Sequence, residues 1–83
     1  MKSKTTIKHT TSYGVPVRLI YMHDFLGNTT RVYMTSLDDN VTAYINVYHV
    51  IPMEPEELVK SELNSEIIGV LEEAMKELSL IHI

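Results

Sequence analysis

The sequence predicts an α+β fold: an antiparallel β-meander of three to four strands followed by one long C-terminal amphipathic helix packed on one sheet face. Three observations carry this. Apolar residues alternate with a period of two through the first half, short polar clusters interrupt those runs, and beyond Pro52 the apolar spacing changes to three and four.

Each element follows from its residues. Over about 4–11, lysine and threonine alternate around a lone Ile7, which fits a charged edge strand or a loose arm. Over about 15–23, Val15, Val17, Leu19 and Tyr21 alternate with Pro16, Arg18, Ile20 and Met22 in a β-branched and aromatic segment. The run from Asp24 to Asn28, with the turn pair Gly27-Asn28, ends that strand, and about 29–37 pairs back as a hairpin. Asp38-Asp39-Asn40 forms the next turn. Over about 41–51, Val41, Ala43, Ile45, Val47 and His49 occupy one face, and Thr42, Tyr44, Asn46 and Tyr48 the other.

Pro52 closes the sheet, and Pro55 at a first helical position, with Glu56 and Glu57 against the positive end of the helix dipole, opens a helix over about 55–79. Its predicted core stripe is Val59, Leu63, Ile67, Val70, Leu71, Ala74 and Leu78, widened by Leu58, Ile68 and Met75. Glu72, Glu73 and Glu77 are read as part of a solvated face. Asn64-Ser65 is the predicted weak point, because either residue can cap a new helix, and Gly69 is a further soft spot. The apolar end Leu80-Ile81-His82-Ile83 is expected to dock on the sheet or a partner.

A chain of 83 residues is read as one domain over 1–83. A domain of this size buries only roughly 60% of the surface its unfolded chain exposes, so subunit association is an attractive source of stability. Cysteine is absent, which excludes a disulfide framework and a thiolate zinc site. No apolar run resembles a secretory leader or a membrane span, and a cytoplasmic location is expected.

The net charge of -4 is divided unevenly. Lys2, Lys4, Lys8, Arg18 and Arg31 outnumber Asp24, Asp38 and Asp39 in the first part, whereas eight glutamates from Glu54 onward face only Lys60 and Lys76. An acidic helix repels phosphate, so any nucleic acid would meet the sheet.

No residue pattern demands chemistry. His9, His23, His49 and His82 lack the spacing of metal ligands on a helix, so no metal or cofactor is expected. His23 and Asp24, adjacent on a strand, point to opposite faces and make no base–acid pair. No serine sits in a glycine-flanked elbow, and Gly14, Gly27 and Gly69 are too isolated to cradle phosphate. The catalytic set is therefore empty.

The segment Arg18-Leu19-Ile20-Tyr21 through Gly27, with Arg31 and Ala43-Tyr44, resembles the small β-barrel hairpins of WYL-type regulatory domains. The tryptophan of the name-giving motif and the later arginines are missing, and no function is carried over from that family.

The candidate binding residues are Arg18, Arg31, Tyr33, Tyr44 and Tyr48, on the sheet face opposite the core, with Arg31 and Tyr33 joining it if the register allows. Tyrosine, arginine and methionine are enriched at interface cores, although tyrosines also simply cover small sheets. The expected function is a small non-enzymatic regulatory or inhibitory binding protein, of the kind mobile elements encode, that forms a homo-oligomer and binds a protein partner. The alternative is a nucleotide or single-stranded nucleic-acid binder stacking bases on the tyrosines. An enzyme would require an active site formed between subunits.

Overall fold

A computed structural model of the chain describes residues 2–24, 28–49 and 53–81. Four strands, β1 (Lys2–Thr10), β2 (Pro16–Asp24), β3 (Thr29–Ser36) and β4 (Thr42–Tyr48), form one antiparallel sheet in the order β1-β2-β3-β4. Two helices follow, α1 (Pro55–Lys60) and α2 (Glu62–Ile81). α1 packs on β1 and β2, and α2 on β3 and β4. The α+β meander is thus as the alternation predicts, but it is an open sheet and not a barrel.

The segment read as a strand or an arm is a strand, and it pairs with β2 along its full length from Lys2 opposite Asp24 to Thr10 opposite Pro16. The β1–β2 turn is closed by Thr11, whose N–H donates to the Val15 carbonyl and whose hydroxyl accepts from the Val15 N–H, both at 2.9 Å. Gly14 supplies the left-handed backbone that this turn requires, with φ 85°. Between β3 and β4, the Asp38 carboxylate accepts from the Asn40 N–H at 3.1 Å, and Asp39 adopts φ 61°. Gly27 of the other expected turn lies outside the described residues, while Asn28 is left-handed at φ 49°. β4 ends at Tyr48, short of the expected 51, and the stretch 50–52 also lies outside them.

Parity along the strands sorts the sheet. Val17, Leu19, Tyr21 and His23 of β2, Thr30, Val32 and Met34 of β3, and Ala43 of β4 are buried under the helices. Leu58, Ile67, Leu71 and Met75 cover them.

The expected single helix is interrupted, and at Ser61 rather than at Asn64-Ser65. Ser61 is extended (φ -83°, ψ 159°), and both its N–H (3.1 Å) and its hydroxyl (2.7 Å) donate to the Leu58 carbonyl, satisfying an acceptor that a continuous helix would have paired four residues on. Asn64, buried, donates from Nδ2 to the Val59 carbonyl (3.2 Å) and accepts the Tyr21 hydroxyl on Oδ1 (2.6 Å). It therefore caps the end of α1 and ties the bend to the sheet.

The structure also corrects the stripe. Leu63 and Val70, both assigned to the core, are 41% and 55% exposed, whereas Leu58 and Met75, placed at its margin, are buried. Ile67 and Leu71 are buried and Val59, Ala74 and Leu78 pack against the core as the stripe predicts, while Leu63 and Val70 lie at the margin of α2 that the sheet does not cover. Glu72, expected in solvent, is buried at 8% exposure for reasons given below. The docking of Leu80 through Ile83 falls where side chains lie outside the described residues.

Neighbouring positions on α2 should respond oppositely. At protein concentrations low enough that only contacts within one chain count, Leu71→Ala should cost about 2–5 kcal/mol, enough to unfold a marginal domain, and Val70→Ala less than about 0.5 kcal/mol. Urea denaturation reads both, and comparable losses at the two sites would contradict the burial assignment.

Candidate binding face of the sheet

Because both helices lie on one side, the opposite side of the sheet carries no covering layer among the described residues. The strand registers arrange its side chains in rows. Thr6, Ile20, Tyr33 and Tyr44 form one row, Lys4, Met22, Arg31 and Asn46 the next, and Lys8, Arg18, Thr35 and Thr42 a third. All five candidate residues lie on this face. The register does bring Arg31 and Tyr33 into it.

Three of them meet. The Arg31 guanidinium donates from Nε to Asn46 Oδ1 (2.9 Å) and from Nη1 to the Tyr33 hydroxyl (3.4 Å), and stands 4.7 Å from the centroid of the Tyr44 ring. The Tyr33 and Tyr44 rings are tilted by 44° at a centroid separation of 5.7 Å. The hydrogen bond to Tyr33 and the partial charges of the surrounding phenols raise the Arg31 pKa further above its usual value. A cation over an aromatic face is attracted by the ring quadrupole, which favours this arrangement of both groups before any partner arrives.

Arg18 and Tyr48 stand apart from this cluster. Arg18 is drawn toward the β3–β4 turn, where it donates to the Asp39 carboxylate and to the Leu37 carbonyl (3.4 Å). Tyr48 sits at a corner opposite Thr29 and is 76% exposed. A depression of about 290 Å³ lies between Met22, Asp24, Thr29, Arg31, Tyr33 and Asn46, and a second of about 230 Å³ includes Lys4, Ile20 and Thr42. Asn46, Lys4 and Lys8 were not among the candidates. Asn46 already shared a face with Tyr44 in the sequence pattern, but the lysines reach the face only through the β1–β2 register.

The helical side holds a separate polar node. Glu72 Oε1 accepts from the Ser12 N–H (3.0 Å) and from His9 Nε2 (3.1 Å), and Oε2 accepts from the Ser12 hydroxyl (2.9 Å). Burial alone would raise this carboxyl, but the hydrogen bonds from His9 and Ser12 outweigh it and leave the pKa lowered. Serine, histidine and a carboxylate are the residue types of a nucleophilic triad, yet here the carboxylate stands between the other two. The imidazole thus bonds the carboxylate and not the Ser12 hydroxyl, which is not the order of such a triad, and the node fastens the β1–β2 turn to α2. Tyr13 adds to it, its hydroxyl donating to the Glu72 carbonyl (3.3 Å) under the Lys76 ammonium, 4.8 Å from the ring centroid.

At the opposite end of the sheet, the Thr30 hydroxyl lies between His23 Nδ1 (2.8 Å) and His49 Nε2 (2.7 Å). One hydroxyl proton serves one ring, so at least one histidine carries its own proton on the nitrogen facing Thr30. Burial, and then the nearby His23, lower the His49 pKa. Among the described residues no group of three or more histidines, cysteines or carboxylates could hold a metal ion. Nor is any described helix long and apolar enough to cross a membrane.

No protein-family model, curated protein or solved structure matches the chain.

Both nodes contribute to the acid response. The lowered His49 pKa means that the unfolded chain takes up this proton first, so its contribution is complete above about pH 6.5 and declines as pH falls from there toward the folded value. Glu72, also lowered, contributes fully above its ordinary 4.5 and loses that contribution as pH falls through its folded value. Urea midpoints followed from neutral to acid pH should therefore fall in two stages, and His49→Gln should remove the upper one. Glu72→Ala, which removes the acceptor of the Ser12 N–H, the Ser12 hydroxyl and His9, should cost about 1 kcal/mol at neutral pH.

Proposed function

We propose that the chain is a small non-enzymatic binding protein of regulatory or inhibitory type, which self-associates and engages an acidic surface of a protein partner through the bare sheet face. The observation that carries this reading is the Arg31, Tyr33, Tyr44 and Asn46 cluster, pre-ordered on an uncovered sheet beside Lys4, Lys8 and Arg18. Exposed tyrosine and arginine held in place lose little freedom on binding, and such residues dominate interface energetics. Lysines and arginines on this face, with most of the glutamates on the helices behind it, favour a partner of opposite charge. Catalysis is not favoured: Glu72 engages both oxygens in fastening a turn, and the depressions beside Arg31 and Lys4 are open features of a broad surface.

Immobilised protein, incubated with extract of the native host and analysed by mass spectrometry, should retain a partner that Tyr44→Ala and Arg31→Ala both lose while keeping the wild-type melting temperature. Retention of the same set by wild type and both variants would refute the role of this face.

A second reading, a single-stranded nucleic-acid platform, is favoured by the row of cations beside the Tyr33 and Tyr44 rings. It predicts that a labelled oligonucleotide binds with an affinity that falls steeply with salt, and that Tyr44→Ala costs about 1–3 kcal/mol per stacked base. Binding indifferent to salt removes it.

A further inference from the structure

The sheet has two edges, and the sequence treats them differently. β1 places Lys4 and Lys8 along its edge, the usual protection against strand addition, whereas β4, from Thr42 to Tyr48, has no charged residue and no proline. The pairing pattern tells which backbone groups β4 offers. The Ser36 N–H donates to the Val41 carbonyl (2.9 Å) and the His49 N–H to the Asn28 carbonyl (3.0 Å), so odd-numbered residues from 41 to 49 direct their backbone groups toward β3. In an antiparallel ladder this direction alternates, which leaves the N–H and C=O groups of Thr42, Tyr44, Asn46 and Tyr48 pointing outward.

A strand with this pattern is complementary to a second copy of itself. With Ile45 on a two-fold axis, Thr42 faces the partner's Tyr48 and Tyr44 faces the partner's Asn46, so every outward donor and acceptor of the strand is matched. No charge opposes another, while a two-fold axis on Thr6 of β1 would set Lys4 against the partner's Lys8. On the helix side, Ala43, Ile45 and Val47 would meet their counterparts, and the last two are only half-buried in one chain.

α2 provides a second contribution. Glu72 faces the β1–β2 turn, and Val70, two residues earlier, lies about 200° around the helix, on the flank away from that turn and above the β4 side. Leu63, two turns before Val70, shares this flank, and both are exposed. Two exposed apolar side chains, bordered by Glu66 and Glu77, thus stand on this flank.

We infer that two copies join edge to edge along β4 in antiparallel register about Ile45, with Leu63 and Val70 meeting across the same axis. The inference rests on the self-association part of the reading above and adds its location and symmetry. Joining continues the sheet from one copy into the other, so that the Arg31, Tyr33 and Tyr44 clusters of both lie on one uninterrupted face.

Light scattering after size exclusion, with amide exchange followed by NMR over a concentration series, tests it on the full chain. The expected results are a two-chain mass and exchange of the Thr42, Tyr44, Asn46 and Tyr48 amides that slows as the dimer fills, while the Ala43, Ile45 and Val47 amides are protected throughout. Asn46→Pro removes an outward donor and should give a folded single-chain mass; Thr6→Pro, at the corresponding parity of β1, should leave the two-chain mass intact. A dimer whose even-numbered β4 amides stay open, or whose mass survives Asn46→Pro, would overturn the edge assignment while leaving association standing. A single-chain mass at every concentration would overturn both.

Discussion

Asn64 holds the arrangement from which the other features follow. Its amide spans the Val59 carbonyl near the end of α1 and the hydroxyl of Tyr21, a residue fully buried in the middle of the sheet. The chain can turn at Ser61 only because those groups are satisfied there, since an unpaired buried carbonyl or hydroxyl costs about 1–3 kcal/mol. The turn lets α1 pack on β1 and β2 while α2 packs on β3 and β4, so both helices serve one sheet face. Among the described residues neither helix reaches the other face. Arg31 and Tyr44 are exposed there, and Tyr33 half-buried between them.

Strand content was legible because it depends on local alternation. Val17, Leu19 and Tyr21 had to share a side with one another whatever the rest of the chain did, and the turn residues at Asp38 and Asp39 fixed the phase of β4. The helical faces were not legible in the same way. Ser61 and Ser65 offer the same hydroxyl to the backbone, and the bend at Ser61 is accompanied by a tertiary bond from the Tyr21 hydroxyl to Asn64, which no local pattern contains. Within α2 the predicted stripe kept its centre at Ile67 and Leu71 and erred at its margins, taking Leu63 and Val70 for core and Met75 for margin, because spacing alone does not say how wide a face the sheet covers. Glu72 was hidden for a related reason: its donors, Ser12 and His9, lie some sixty positions away, and a glutamate in an acidic helix carries no mark of burial. The binding face was half legible. Tyr44, Tyr48 and Arg18 could be placed by parity within their own strands, but Arg31 and Tyr33 needed the hairpin register, and Lys4 and Lys8 needed a strand that the sequence left undecided.

Charge is separated by the same geometry. Glutamates gather on the helices and cations on the bare face, with the sheet between them as a low-dielectric partition that lets each side keep its own field. Glu72 is the exception that helps to hold the partition together. Its negative charge crosses to the β1–β2 turn, where one histidine and both donors of Ser12 compensate it, so that the turn is clamped down upon α2 and the edge of β1 is kept in place beside the core.

Face and edge are one feature at β4. In an antiparallel strand the residues whose side chains point to a given face are also those whose backbone groups point to a given neighbour, because both alternate with the same period. Here Tyr44 and Asn46 present their side chains to the bare face and their backbone to the open edge. Any strand that pairs with β4 must therefore lay its own alternate side chains beside the Arg31 and Tyr44 cluster. A second copy would lay down the same chemistry in reverse, widening the surface without changing its character, and this is the arrangement in which an uncharged edge and an aromatic face serve one purpose.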